Sequence, residues 1–137
     1  YGTFSQLDSL IILNLKHNNI LLKYGLFPMM LKRLDLSYNQ LKDFSLRQLL
    51  SSQLLEELKL NGNPIQNAKV EEVFPEAIFQ FMHVYRMELS DCFGCMQLAD
   101  VLIHFKRINR NIIVQFDSER TNSSNIFGIS CVDTNDT

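Results

Sequence analysis

Leu31-Lys32-Arg33-Leu34-Asp35-Leu36-Ser37-Tyr38-Asn39-Gln40-Leu41 reads LxxLxLxxNxL. The same spelling recurs at Leu10, Leu13, Leu15, Asn18 and Ile20, and again at Leu55, Leu58, Leu60, Asn63 and Ile65. Each LxL triplet has the period of a pleat, so its two leucines point to one side and the residue between them to the other. The Asn turns the chain. Its amide carries two donors and an acceptor, enough to satisfy backbone groups that would otherwise be buried unpaired.

A fixed motif at short period is the signature of a leucine-rich repeat. One such unit cannot bury its apolar face alone, so stacked neighbours build one continuous core. The pattern therefore predicts an α/β leucine-rich repeat solenoid, with parallel strands on the concave face, helices or turns on the convex face and a C-terminal cap. Residues 1–95 read as about four repeats. Residues 96–137 read as the cap of the same domain: a helix, a strand and a hairpin.

Working outward, residues 1–9 read as the tail of a preceding element, with Phe4 and Leu7 covering the open edge of the first strand. Strands are expected near 12–16, 33–37, 57–61 and 86–90. The return between the first two is short and apolar, with Leu26, Phe27, Met29 and Met30, and suits a turn. The next, 42–53, places Phe44, Leu46, Leu49 and Leu50 at helical spacing behind Ser45 or Asp43 as N-cap. Within residues 71–84 Val73, Phe74, Ile78, Phe79 and Met82 form an apolar stripe, and Pro75 suits the first turn of a helix running to about His83. In the fourth repeat Cys92 stands where Asn is expected and Gly94 where an apolar residue is expected. An amphipathic helix over 96–106 follows, with Leu98, Val101, Leu102 and Phe105 on one face. Residues 111–116 then give a fifth strand, and 126–132 read as its hairpin partner on the sheet edge.

Composition narrows the function. The 137 residues carry 13 basic and 15 acidic side chains, net charge −2. That balance argues against a surface that is wholly a nucleic-acid footprint. No apolar run approaches the roughly 20 residues that span a bilayer, so no membrane partner is expected. The chain opens inside the repeat pattern without an initiator Met or signal-peptide layout, and so reads as a fragment of a longer protein. Three cysteines, with no disulfide-rich cap at the N-terminal end, point to a reducing compartment. The triplets Asn122-Ser123-Ser124 and Asn135-Asp136-Thr137 are glycosylation sequons and keep an extracellular receptor fragment as an alternative.

The residues between the inward leucines form columns across the concave sheet. The first is Ile12, Arg33, Glu57 and Arg86; the second Asn14, Asp35, Lys59 and Glu88; the third Lys16, Ser37, Asn61 and Ser90. Lys16, Arg33, Lys59 and Arg86 are the candidate binding residues for a partner protein or RNA. Because Asp35, Glu57 and Glu88 stand among them, cross-strand ion pairs beneath a protein partner are expected first, and direct RNA contact second. Lys106, Arg107 and Arg110 form a second basic cluster, whose charges also complement the C-terminal dipole of their helix. Cys92-Phe93-Gly94-Cys95 has CxxC spacing, but zinc needs four ligands and no second pair stands at metal spacing, so no metal or other cofactor is expected. No nucleophile and base, and no paired carboxylates, converge in the pattern. Neither an enzyme nor a small-molecule site is expected.

The segment Leu55-Glu56-Glu57-Leu58-Lys59-Leu60-Asn61-Gly62-Asn63, followed by an aromatic-rich return to Leu89, resembles the closing repeats of the nuclear RNA export factors. These TAP-like mRNA export receptors carry an LEELxLxGN segment in their leucine-rich domain, and the similarity spans roughly Leu10 to Asp91. Leu89-Ser90-Asp91 stands where the family has Leu-Asp-Gly, and the first return segment is shorter, so the resemblance implies a divergent paralogue. It further implies a non-catalytic binding module in the nucleus, shuttling to the cytoplasm. Such a module would contact RNA together with an upstream RNA-recognition domain, or an adaptor protein. A generic intracellular protein-interaction repeat without an RNA role is the alternative.

Overall fold

The computed structural model describes residues 4, 7–20, 22, 26–65, 69–93, 95–108, 111–116, 124–126 and 129–131; residues 95, 96, 124–126 and 129–131 are described by backbone alone. Five short strands run parallel in one sheet in chain order: β1 (Ile12–Asn14), β2 (Arg33–Asp35), β3 (Glu57–Lys59), β4 (Arg86–Glu88) and β5 (Ile113–Gln115). Ile12 pairs with Arg33, Arg33 with Glu57, Glu57 with Arg86 and Arg86 with Ile113. The first two columns expected from the repeat spelling are therefore real side-chain ladders.

The first four strands each stop three residues in, short of the expected five. Beyond each end the chain enters a turn whose residue before the Asn or Cys is left-handed: His17, Tyr38, Gly62 and Asp91 have φ of 63°, 58°, 74° and 60°. A left-handed residue cannot continue a strand. The third column consequently sits on the turn, not on the sheet. Ser37, expected to face outward, is buried there, and its hydroxyl has no hydrogen-bond partner among the described residues.

The core lies beneath the sheet. Leu31, Leu34, Leu36 and Leu41 of the second repeat are buried, as are Leu55, Leu58, Leu60 and Ile65 of the third and Val84, Met87, Leu89 and Cys92 of the fourth. Their counterparts Leu10, Leu13, Leu15 and Ile20 are only half-buried, because β1 is an outer strand. Phe4 stacks on Phe27 with ring centroids 5.8 Å apart, but Leu7 is exposed and does not cover that edge. Leu7 is held instead in a turn, donating its N–H to Phe4 O and accepting from Leu10 N.

The returns are tighter than expected. Where a helix over 42–53 was expected, the chain makes one 3-10 turn, Leu46–Leu49, capped by Ser45 with Gln48 closing a capping box. A 3-10 turn rises about 2.0 Å per residue against 1.5 Å for an α-helix, so it spans the return with fewer residues. Where a helix from Pro75 to about His83 was expected, the chain makes a 3-10 turn, Glu76–Gln80, preceded by the short α1 (Val70–Val73). Pro75 lies between the two. It has no N–H to donate, and it drives Phe74 before it to φ −126°, ψ 74°. The helix after β4 runs as α2 (Cys95–Ile108), and Phe105 closes an aromatic cluster with Phe74 and Phe79 at centroid distances of 5.0 and 6.1 Å.

The final expectation is corrected in topology. Segment 126–132 was expected to pair with 112–117. Instead β6 (Ser124–Ile126) and β7 (Ile129–Cys131) pair antiparallel with each other, while β5 joins β4 in parallel register.

Candidate functional site

The turn chemistry positions everything above it. Asn39 Oδ1 accepts from Asn18 N and Ile20 N, both at 3.0 Å, while its Nδ2 donates to Leu15 O and Leu36 O, both at 2.9 Å. Asn63 repeats the pattern one turn on: Oδ1 accepts from Asn39 N and Leu41 N, and Nδ2 donates to Leu36 O and Leu60 O. Each amide stitches two repeats together and fixes their register. Cys92 occupies the next rung, its Sγ donating to Leu60 O at 2.8 Å. Burial pushes this thiol up to about 12, against a smaller opposing pull from the Asn63 N–H. It is a structural thiol and not a nucleophile.

Above this ladder the concave face carries two ion pairs. Arg33 Nε lies 3.1 Å from Glu57 Oε2, and Lys59 Nζ lies 3.8 Å from Glu88 Oε2. The cations are the outer members: Arg33 and Lys59 side chains are 59% and 46% exposed, Glu57 and Glu88 only 22% and 23%. Asn61 Nδ2 holds Glu88 Oε1 at 3.0 Å, and Arg86 Nη2 donates to the neutral Gln115 Oε1 at 2.9 Å. Pairs this exposed contribute about 1 kcal/mol or less to stability. They set the charge pattern of the face more than they hold it together. Ile12, Asn14, Arg33, Asp35, Glu57 and Lys59 line a shallow hollow of ≈ 230 Å³ there.

The four candidate cations thus fall into two groups. Arg33 and Lys59 are neutralised by a carboxylate one strand away. Among the described residues neither Lys16 nor Arg86 is ion-paired. Lys16 Nζ sits 5.6 Å from the centroid of Tyr38, which in turn stacks on His17 at 4.8 Å with the rings within 9° of parallel. This aromatic rim escaped the sequence reading. Its signal was available: both rings occupy the slot before the turn Asn, where the third repeat has Gly62.

The second basic cluster lies elsewhere. Lys106 and Arg107 are exposed in the last turn of α2, and Arg110 lies outside the described residues. Arg107 lines a separate hollow of ≈ 430 Å³ between α1 and α2, shared with Lys69, Glu71, Asp100 and His104. His104, read from sequence as a neighbour of that cluster, is buried, with Nε2 2.6 Å from Phe74 O. Because a carbonyl only accepts, Nε2 carries the proton. The described residues contain no group of three His, Cys, Asp or Glu able to hold a metal ion, and no helix long and apolar enough to cross a membrane.

Five parallel strands on a continuous leucine core, tied by an asparagine ladder, make this an α/β leucine-rich repeat solenoid. Residues 28–44, the return into β2 and its turn, match the family model described as Leucine Rich repeat. Comparison with curated proteins and with solved structures gives no match. Leucine-rich repeats serve in general as non-catalytic modules for protein–protein interaction.

Proposed function

We propose that this chain is a non-catalytic binding module that seats a protein partner on the concave face of its sheet. One observation carries the reading: a regular array of exposed cations backed by less exposed carboxylates, Arg33 over Glu57 and Lys59 over Glu88, around an open hollow. Such a face is already neutralised internally. It favours a partner offering mixed charge over a polyanion, which needs uncompensated cations.

The finer proposal places this module in a nuclear RNA export pathway or a related ribonucleoprotein pathway, with an adaptor protein as the partner. Its support is the LEELxLxGN-like segment from Leu55 to Asn63. Direct RNA contact is the second reading. It is favoured by one feature, the absence among the described residues of a carboxylate paired with Lys16 or Arg86.

The test is a capture experiment from nuclear extract with three versions of the chain. Protein partners held by the wild type should be lost from Arg33→Glu/Arg86→Glu and retained by Lys106→Glu/Arg107→Glu. Loss from the second variant alone would move the binding surface to the α2 side and overturn the proposal.

A further inference from the structure

The charges on the middle strands β2, β3 and β4 form two rows across the concave face. Arg33, Glu57 and Arg86 stand in register in one row, and Asp35, Lys59 and Glu88 in the other. Signs alternate along each row and are opposite between the rows. Two neighbouring pairs close within this grid, Arg33 with Glu57 at 3.1 Å and Lys59 with Glu88 at 3.8 Å. Opposite corners are left over. Among the described residues, Asp35 on β2 and Arg86 on β4 have no ion-pair partner.

Both leftover charges keep hydrogen-bonding capacity in reserve. Asp35 Oδ1 accepts from Ser37 N at 3.0 Å, while Oδ2 accepts nothing among the described residues. Arg86 gives one N–H to the neutral Gln115 Oε1, out of the five that a guanidinium carries. Each side chain is half-exposed. Asp35 lines the ≈ 230 Å³ hollow together with Ile12. An apolar wall beside a carboxylate suits a Lys or Arg side chain, its stem on Ile12 and its charged head at Asp35. At the other corner, the free donors of Arg86 suit a carboxylate held by two parallel bonds.

We propose that the occupant of the concave face is an extended polypeptide segment with a basic and an acidic residue four positions apart, the base on Asp35 and the acid on Arg86. The inference rests on the reading of this face as a protein-binding surface. Two strand spacings of about 4.8 Å, and a step of about 6.7 Å along the strand, put the corners roughly 12 Å apart. Residues i and i+4 of an extended chain lie about 13 Å apart and point to the same side. Residue i+2 then comes down over Glu57 and Lys59, whose charges are already closed. Strands of three residues make a face only about 10 Å wide, which a helix of about 10–12 Å diameter overhangs. A polyanion that reached Arg86 along the same diagonal would meet Asp35.

The experiment is selection of a random linear-peptide display library on the immobilised 137-residue chain, followed by titration of the enriched peptides. Enriched sequences should share a Lys or Arg and an Asp or Glu four positions apart. Asp35→Asn, which keeps an acceptor for Ser37 N, and Arg86→Gln should each weaken a selected peptide several-fold. A peptide whose base is replaced by Ala should lose the same factor on the wild type and nothing further on Asp35→Asn. Its acid should couple to Arg86 in the same way. Peptides that lack the spaced charge pair, yet are lost from Arg33→Glu/Arg86→Glu, overturn this inference and leave the concave-face reading standing. Peptides that bind that variant as well as the wild type overturn both. Enrichment of acidic residues alone, or no enrichment over an unrelated protein, also overturns the inference.

Discussion

The ring of Tyr38 occupies the space that a side chain on Gly62 would need: a Cβ built there meets the ring closer than real Cβ contacts come. Gly62 also has φ of 74°, which an L-residue adopts only with strain. The glycine is therefore fixed twice, by its own backbone and by its neighbour's ring. Gly62→Ala should lower stability by about 1–3 kcal/mol from the backbone alone, and by more because Tyr38 must move. Combining it with Tyr38→Ala should recover the steric part and leave the backbone part, a coupling on the order of 1 kcal/mol or more. Denaturant midpoints of the two single variants and the double variant measure it. Additive losses would show that ring and glycine do not interact.

Asn63 carries four backbone groups on one amide: the N–H of Asn39 and Leu41, and the C=O of Leu36 and Leu60. Asn63→Ala strands the N–H groups of Asn39 and Leu41, while Leu36 O keeps Asn39 Nδ2 and Leu60 O keeps Cys92 Sγ, and each unsatisfied buried group costs about 1–3 kcal/mol. The expected loss exceeds that of Asn18→Ala, whose amide makes one exposed bond, to Lys16 O, among the described residues. Thermal or chemical unfolding of the two variants side by side gives the comparison. Equal losses would mean that the ladder is not what holds successive repeats in register.

Cys92 sets a limit on alkaline stability. Its folded value of about 12 stands above the ordinary 9.0 because burial disfavours the thiolate, while Asn63 and Gly62 N–H groups oppose this weakly. Below 9.0 both folded and unfolded chains keep the thiol, and the group has no effect on stability. Between 9.0 and 12 only the unfolded chain ionises, so stability falls as pH rises. The slope is about 1.4 kcal/mol per pH unit. The difference in unfolding free energy between wild type and Cys92→Ala should therefore shrink across that window and stay constant below it. A difference independent of pH up to 12 would contradict the buried-thiol assignment.

How far the sequence disclosed this fold depended on whether side-chain period or backbone detail decided the point. The register of Arg33, Glu57 and Arg86 was legible because LxxLxL fixes both spacing and side. Asn39 and Asn63 announced their role by residue type and position. Ser37 was misplaced because its side follows from the left-handed Tyr38 after it, and no apolar period reports a positive φ. An α-helix from Pro75 to about His83 was expected because Phe74, Ile78, Phe79 and Met82 keep an apolar stripe, which a 3-10 turn at Glu76–Gln80 satisfies as well. For the candidate cations, repeat spacing set the positions but not the partners. Whether Arg86 finds Glu57 or Gln115 depends on side-chain rotamers and on a strand 29 residues further along the chain.

RNA binding, the second functional reading, is decided by counterion release. Each phosphate neutralised by an unpaired cation adds a defined increment to the salt dependence, whereas a cation already held by a carboxylate releases little. On this face, among the described residues, Arg33 and Lys59 are held by carboxylates and Lys16 and Arg86 are not. If RNA lies here, replacing Lys16 and Arg86 together by Gln should flatten the log–log salt slope for a single strand by up to about 1.4, two contacts at roughly 0.7 each. Replacing Arg33 and Lys59 by Gln frees Glu57 and Glu88, so affinity should drop with a smaller change in slope. Fluorescence anisotropy of a labelled single-stranded RNA across a salt series, with the wild type and both variants, separates the two pairs. Should the Lys16/Arg86 variant keep both the affinity and the slope of the wild type, RNA does not use this face, and the concave surface is left to a protein partner.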